Sequence, residues 1–211
     1  LISFENKDEV IKYLKNNKSE IDDILILGEG SNTLFTKDYH GIIFQSNIKG
    51  IEIIKEDNES INLKVGSGEN WDDFVDFCVN SEYYGIENLS LIPGSVGAAP
   101  IQNIGAYGVE INDYVVRVSG VDLSTNTLVK FSNKDCEFSY RDSVFKKKLR
   151  NKFFITSVEF KLYKKLPFNL SYTDLEKLNT SELTISKLRE EIIKIRTRKL
   201  PDPKSKGNAG S

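Results

Sequence analysis

The sequence is poor in the residues that build metal sites, disulfide frameworks and membrane spans. Its 211 residues include no methionine, a single histidine and two cysteines, Cys78 and Cys136. Thiols this far apart in the chain are typical of separate reduced core residues, so we expect neither a disulfide nor a bound metal. No apolar run approaches the length of a membrane span, and we expect no membrane association.

Neither sign of charge is in excess. Lys and Arg total 29 against 31 for Asp and Glu, which argues against nucleic-acid binding and against a polybasic membrane surface. Hydrophobic residues make up 39% and charged residues 28%, enough for a core and an ordinary polar surface. We therefore expect a cytoplasmic protein. The sequence has no initiator methionine and stops just after a glycine-bearing stretch, so we also expect it to be cut at both ends from a longer protein.

Charge is also missing between Leu89 and Gly108, where small residues dominate. This stretch holds Gly94, Gly97 and Gly105 as well as Gly108. Backbone so lean in side chains can approach a flat ring or a phosphate closely. The alternative is a tightly packed turn between two strands.

A second glycine cluster, Gly28 to Asn32, follows the apolar run 24–27, which is typical of a buried strand. Gly28 and Gly30 permit positive φ, so successive N–H groups can point into one concavity and hold an anion. The segment does not match the Rossmann pattern G-x-G-x-x-G, because Thr33 occupies the position of the third glycine, and no P-loop motif occurs. A hairpin-like turn remains the alternative for this cluster.

Hydrophobic periodicity predicts an α+β chain with more strands than helices. Helices are expected after the N-cap residues Asn6, Asn70 and Thr184, the second ending before Gly85 and the third near Lys199. Strands are expected near 24–27, 42–45, 51–55, 61–65, 114–121, 128–131 and 153–161.

Further motifs accompany the two glycine segments. In chain order they are Leu27–Asn32, Ile48–Ile51, Val65–Trp71, Ile92–Gly108, Ser139–Ser143 and Arg196–Ser211. In content and order the chain resembles the UDP-N-acetylenolpyruvoylglucosamine reductase family, bacterial flavoenzymes of peptidoglycan precursor synthesis, in the subtype with a substrate-contacting tyrosine loop. The resemblance extends over nearly the whole chain.

The fold that the resemblance implies is α+β, the FAD-binding fold of the vanillyl-alcohol oxidase/p-cresol methylhydroxylase type. On this basis we expect an FAD-binding domain over residues 1–165, with subdomains of about 1–50 and 51–165. Residues 166–211 would begin an incomplete α+β substrate-binding domain.

The same resemblance assigns the cofactor-binding residues. The FAD pyrophosphate would be held by Gly28, Glu29, Gly30, Ser31 and Asn32. The cofactor would also be lined by Pro93, Gly94, Ser95, Gly97, Ala98, Gly105, Ala106, Tyr107 and Gly108. His40 could in principle tether a flavin covalently, but we expect no tether.

Catalytic and substrate-binding roles also follow from the resemblance. Arg141 would face the substrate carboxylate, since its guanidinium suits a planar anion better than a lysine does, and Ser211 would donate the proton. Tyr140, Tyr172, Arg196 and Lys199 would bind substrate. Each of these residues also has a structural alternative: Arg141 could pair with Asp142 on the surface, Ser211 could be an ordinary loop serine, and Tyr172 could be a packed loop aromatic. Near Lys199, the helix dipole alone favours basic residues. The family's glutamate near the C-terminus has no counterpart here.

The implied function is the NADPH-dependent reduction of UDP-N-acetylglucosamine enolpyruvate, a UDP-sugar enolpyruvyl ether, to UDP-N-acetylmuramate. FAD would carry the hydride, and we expect the protein to act as a monomer. Two alternatives stay open: a chain that binds flavin without turnover, and a flavin oxidase of the wider fold group.

Overall fold

The computed structural model describes residues 1–17 and 23–200. Within these residues, two main β-sheets pack together, accompanied by a two-stranded ribbon and three α-helices. The smaller sheet is parallel and comprises β1 (Ile2–Phe4), β2 (Ile24–Leu27) and β3 (Ile42–Ser46), in the order β1-β3-β2. The strand β1 was not expected from the sequence, because three residues are too few to show a period.

Helix α1 (Lys7–Asn16) covers the small sheet. The side chain of Asn6 accepts hydrogen bonds from the N–H groups of Asp8 and Glu9 and so caps the helix as predicted. Val10 and Leu14 on its inner face are fully buried, and complete burial of an aliphatic side chain contributes roughly 1.5–3 kcal/mol. This face packs on aromatic rings of β1 and β3 and on the second sheet.

The larger sheet is antiparallel and has the strand order β4-β5-β10-β8-β9. Its members are β4 (Ile51–Glu56), β5 (Ser60–Gly66), β8 (Val115–Asp122), β9 (Thr127–Ser132) and β10 (Phe153–Tyr163). A separate two-stranded ribbon precedes β8 in the chain and comprises β6 (Gly105–Ala106) and β7 (Val109–Glu110). The central strand β10 is buried along most of its length, so it anchors the main core.

Helix α2 (Trp71–Asn80) lies on the inner face of the large sheet. Asn70 caps it through the N–H groups of Asp72 and Asp73, as the sequence predicts. Trp71 and Phe74 are buried against Phe160 of β10. The helix ends at Asn80, a few residues before Gly85.

Helix α3 (Ile185–Lys199) is capped by Thr184, which accepts from the N–H of Lys187. Its apolar stripe forms a separate small core with Leu175. Arg189 fastens it to α2, with two hydrogen bonds to Asp72 (2.7 and 3.1 Å) and one to Asp76 (3.2 Å).

Both cysteines are buried free thiols. Across residues 1–17 and 23–200, no helix combines the length and apolar character needed to cross a membrane. The same residues contain no group of three or more His, Cys, Asp or Glu that could hold a metal ion.

Candidate functional site

The two glycine-rich segments face each other across a gap beside the small sheet. The first, 28–32, leaves the carboxyl end of β2, and the second begins at Ile92. A Cβ atom added at Gly28 would lie 3.2 Å from the Cβ of Ala98, and one added at Gly94 would lie 3.3 Å from the Oγ of Ser31. Gly94 has φ of +119°, a conformation that an L side chain rarely adopts. In each loop, a glycine backbone therefore lies against a small side chain of the other loop.

Hydrogen bonds from neighbouring elements hold both loops in place. The side chain of Gln45 on β3 donates to the carbonyl of Gly28 (2.8 Å). Asn70, besides capping α2, donates to the carboxylate of Glu29 (3.0 Å). The N–H of Trp71 donates to the carbonyl of Gly94 (2.8 Å). The loops are thus preorganised by the sheet and by the helix that flank them.

Three cavities adjoin one another, since Asn32 and Gln102 line all three, and together they form the cleft. The loop cavity, about 230 Å³, lies between the glycine segments. The sheet-side cavity, about 490 Å³, lies against β2 and β10 and has a mainly apolar wall with Lys146 and Arg150. The cationic cavity, about 590 Å³, lies at the other end.

The predicted site residues fall along this cleft as follows. The loop cavity is lined by Gly28, Glu29, Gly30, Ser31, Asn32, Pro93, Gly94, Ser95 and Ala98. Gly97 lines the sheet-side cavity. The cationic cavity is lined by Gly105, Ala106, Tyr107, Tyr140, Arg141, Tyr172, Arg196 and Lys199. Gly108 instead packs against the Asn169 and Ser171 side chains, and Ser211 lies outside the described residues.

Arg141 is held at the edge of the cationic cavity by its backbone and by its guanidinium. It sits in the turn between Ser139 and Asp142 with φ of +54°. Its Nη2 donates to the carbonyl of Gly105 (2.6 Å), and its guanidinium lies 5.5 Å from the centre of the Tyr140 ring. Asp142 forms an ion pair with Lys147, so the alternative of an Arg141–Asp142 pair is not what the structure shows.

Lys146 also supports this turn. Its ammonium donates to the carbonyl of Arg141 (2.8 Å). The sequence suggested only that the lysines 146–148 form a solvated face, and all three are indeed exposed. A run of lysines carries no signal that one of them holds a neighbouring turn.

Arg196 is the most deeply buried cation of the cavity, with only 4% of its surface exposed. Its Nε donates to the carbonyl of Leu91 (3.3 Å), whereas its Nη2 has no hydrogen-bond partner. A buried guanidinium nitrogen without a partner is costly. Since Arg196 lines the cavity, its positive charge favours an anion there.

Two tyrosines and a lysine complete the cavity wall. The rings of Tyr107 and Tyr172 meet edge to face with centres 5.0 Å apart. Burial raises the pKa of Tyr107, an effect that the nearby positive charges of Arg196 and Lys199 partly offset. Lys199 pairs with Asp174, which raises the lysine pKa, and its ammonium lies 5.6 Å from the Tyr172 ring centre. The cavity therefore presents three cations beside aromatic surface.

A family model described as an FAD binding domain matches residues 1–132. UDP-N-acetylenolpyruvoylglucosamine reductase from Bacteroides fragilis is 48% identical over 191 residues, which is 89% of this chain and 57% of the relative. The enzyme of that name from Flavobacterium johnsoniae is 44% identical over 215 residues, 100% of this chain and 63% of the relative. The chain thus spans about 60% of the length of these relatives.

Solved structures support the fold. The crystal structure of UDP-N-acetylenolpyruvylglucosamine reductase from Thermus caldophilus superposes with a TM-score of 0.69 at 19% identity, covering 99% of this chain and 65% of that one. Cholesterol oxidase from Brevibacterium sterolicum superposes with a TM-score of 0.53 at 14% identity, covering 76% of this chain and 33% of that one. The fold is therefore the predicted α+β flavin-binding type.

Proposed function

Because the chain belongs to the FAD binding domain family and resembles UDP-N-acetylenolpyruvoylglucosamine reductases along most of its length, we propose that it takes part in the NADPH-dependent reduction of UDP-N-acetylglucosamine enolpyruvate. The product is UDP-N-acetylmuramate, for peptidoglycan synthesis in the cytoplasm, and the protein acts as a monomer. The observation that carries the proposal is the cationic cavity, which adjoins the facing glycine loops and is lined by Arg141, Arg196 and Lys199.

The cleft fits FAD in its chemistry. The glycine loops present bare backbone to the loop cavity, which suits a pyrophosphate. The sheet-side cavity offers an apolar wall with two cations at its edge, which suits an adenosine, and the loop 105–107 borders the remaining space for the ring system. The chemistry that bound FAD supplies is the relay of a hydride from NADPH to the substrate.

The side chains of the chain itself bind and polarise the substrate. Arg141 binds the enolpyruvyl carboxylate and stabilises the negative charge that develops on it as the β-carbon is reduced. Arg196 and Lys199 bind the diphosphate of the UDP group, and the Tyr172 ring packs beside it. Ser211 donates the proton to the α-carbon in this proposal. Tyr140 is 80% exposed and contacts substrate only at the mouth of the cavity.

Turnover is the test, with Arg141 as the probe. We expect the purified chain, supplied with FAD, to oxidise NADPH over many turnovers only when the enolpyruvyl substrate is present to reoxidise the flavin. Arg141→Lys should lower kcat by at least about 100-fold, since losing one preorganised charge-stabilising group costs ~2.7–4 kcal/mol. Arg198→Lys, at an exposed position of α3 that lines none of the three cavities, is the matched control and should retain activity.

The alternatives give different results in the same assay. Flavin that binds and stays unreactive toward NADPH and substrate supports a flavin-binding chain without turnover. Rapid oxygen consumption by reduced flavin supports an oxidase. Equal activity of Arg141→Lys and the parent would contradict the assigned role.

A further inference from the structure

Asn88 lies outside the cleft but joins two segments that form it. It belongs to a short 3₁₀ turn, Glu87–Leu89, and its side chain is fully buried. Its Nδ2 donates to the carbonyl of Tyr107 (2.8 Å) and to that of Asn169 (2.9 Å). One amide nitrogen thus ties the second glycine segment to the segment that carries Tyr172.

A second amide makes the same connection from the other side. The Nδ2 of Asn169 donates to the carbonyl of Gly108 (2.9 Å). Its Oδ1 accepts from the N–H (3.1 Å) and the hydroxyl (2.7 Å) of Ser171, which forms the turn leading into Tyr172. A Cβ at Gly108 would lie 2.9 Å from the Ser171 Oγ, so the Gly108 backbone lies directly against the Ser171 side chain.

The segment 164–174 has little other regular structure. It contains no helix or strand within its described residues, and Leu175 is the fully buried apolar residue that anchors its end in the small core beside α3. Leu175 anchors the end of the segment and Phe168 and Leu170 pack against the cores. The Asn88–Asn169 bridge adds the polar contacts of the segment to Tyr107 and Gly108. The edge-to-face contact of Tyr107 with Tyr172 depends on that arrangement.

We propose that Asn88 is a positioning residue that holds the Tyr172 segment against Tyr107 and Gly108 and thereby sets the affinity of the cationic cavity for a UDP-sugar. The proposal rests on the function proposed above. The Oδ1 of Asn88 is buried without a hydrogen-bond partner, so its burial costs stability. A well-packed apolar residue would remove that cost and also the bridge.

The chain supplies a matched control in Asn133. Its Nδ2 also donates to two backbone carbonyls, those of Asn112 (2.8 Å) and Val115 (2.8 Å). These carbonyls lie at the start of β8, and neither they nor Asn133 lines any of the three cavities. Asn133→Leu therefore removes a comparable pair of hydrogen bonds, from one side-chain amide to two backbone carbonyls, at a place that has no connection to the Tyr172 segment.

Hydrogen exchange measured by mass spectrometry on the purified chain tests the positioning role without any ligand. We expect Asn88→Leu to speed amide exchange in residues 168–178 by at least about tenfold, since lost local contacts lower the free energy of local opening. Asn133→Leu should leave this segment as in the parent. If Asn88→Leu does not fold, Asn169→Ala breaks the bridge from the other side and should give the same result. Unchanged exchange in 168–178, or equal acceleration by Asn133→Leu, overturns the proposal.

Titration of the FAD-loaded protein with UDP-N-acetylglucosamine tests the consequence for binding. We expect Asn88→Leu to raise Kd about tenfold, and the Asn88→Leu/Tyr172→Ala double variant to bind no more weakly than Tyr172→Ala alone, since both act through the same contact. Additive effects would overturn the link to Tyr172. If the parent binds no UDP-sugar while the exchange result holds, the proposed function fails and the positioning of the segment stands.

Discussion

Several non-glycine residues in or next to the cleft have unusual backbone conformations. Leu91, Asn103, Tyr107 and Arg141 all have positive φ although none is glycine. Each such residue costs about 1–3 kcal/mol unless its surroundings hold it. The N–H of Leu91 donates to Asp72 (2.5 Å) and its carbonyl accepts from Arg196, which shows how the surroundings do so. The site is thus held in one conformation before any ligand arrives.

Sequence reasoning reached the residue types of the site but not these conformations. The glycines and the basic residues stand out by composition and by resemblance. The positive φ of Tyr107 and Arg141 could not be predicted from the sequence, because neither residue type favours that conformation. Asn88 and Lys146 were missed for a related reason, since a side chain that bonds a distant carbonyl leaves no local pattern.

Burial of Glu87 makes a residue-scale prediction about pH. Burial raises the pKa of this carboxyl, whose Oε2 accepts a hydrogen bond from the N–H of Gly85 (2.6 Å). Above the unfolded pKa of about 4.3, the folded protein holds a proton that the unfolded chain has lost. The stability contributed by this group is therefore complete below that pKa and is lost as pH rises through the folded pKa.

Glu87→Gln keeps the acceptor and removes the titration. We expect the Tm of this variant, relative to the parent, to rise by a few degrees as the buffer moves from acid to neutral pH, because ~1 kcal/mol corresponds to about 2–4 °C for a domain of this size. Thermal unfolding followed by circular dichroism measures it. Glu176→Gln, at an exposed position, is the control. A Tm difference that does not change with pH would contradict the prediction.

At the scale of elements, capping and periodicity predicted the helices well. Asn6, Asn70 and Thr184 each accept backbone N–H groups at the expected places. The short strands β1, β6 and β7 were not predicted, because they are held by tertiary pairing and not by local propensity. The attachment of α3 to α2 was likewise invisible, since Arg189 and Asp72 lie far apart in the sequence.

That attachment gives the element-scale prediction. Arg189 is largely buried and forms two hydrogen bonds to the carboxylate of Asp72. The same carboxylate accepts a hydrogen bond from the N–H of Leu91. We expect Arg189→Gln and Asp72→Asn each to destabilise the protein by about 1–3 kcal/mol. In a double-mutant cycle measured by urea unfolding, the two changes should be non-additive by at least ~0.5 kcal/mol.

An exposed ion pair provides the comparison for this cycle. Lys194 pairs with Glu191 on the outer face of α3 (2.7 Å), and such pairs are worth about 0–1 kcal/mol. Lys194→Gln should therefore change stability little. Additive losses at Arg189 and Asp72 would mean that the two residues stabilise the fold independently.

At the scale of the whole molecule, the site exists only because the fold brings distant segments together. The three adjoining cavities of the cleft are lined by residues near 30, 95, 105, 141, 172 and 196. Composition marked both glycine segments, and the family resemblance indicated that they share a ligand. Neither composition nor the resemblance predicted the sheet-side cavity or the presence of Lys146 and Arg150 in its wall, because both depend on how the two sheets pack. The division into 1–165 and 166–211 stays a prediction.

The most direct test is FAD binding by the purified chain and by two glycine variants, followed by absorbance of the bound flavin. Gly94 and Gly50 have nearly equal positive φ, +119° and +114°, so alanine strains both backbones alike. Only Gly94 lies in the cleft. We predict that the parent and Gly50→Ala retain flavin and that Gly94→Ala binds it at least about tenfold more weakly, a difference of ~1.4 kcal/mol. A parent chain that binds no FAD, or equal affinity in both variants, would contradict a flavin site between the two glycine loops.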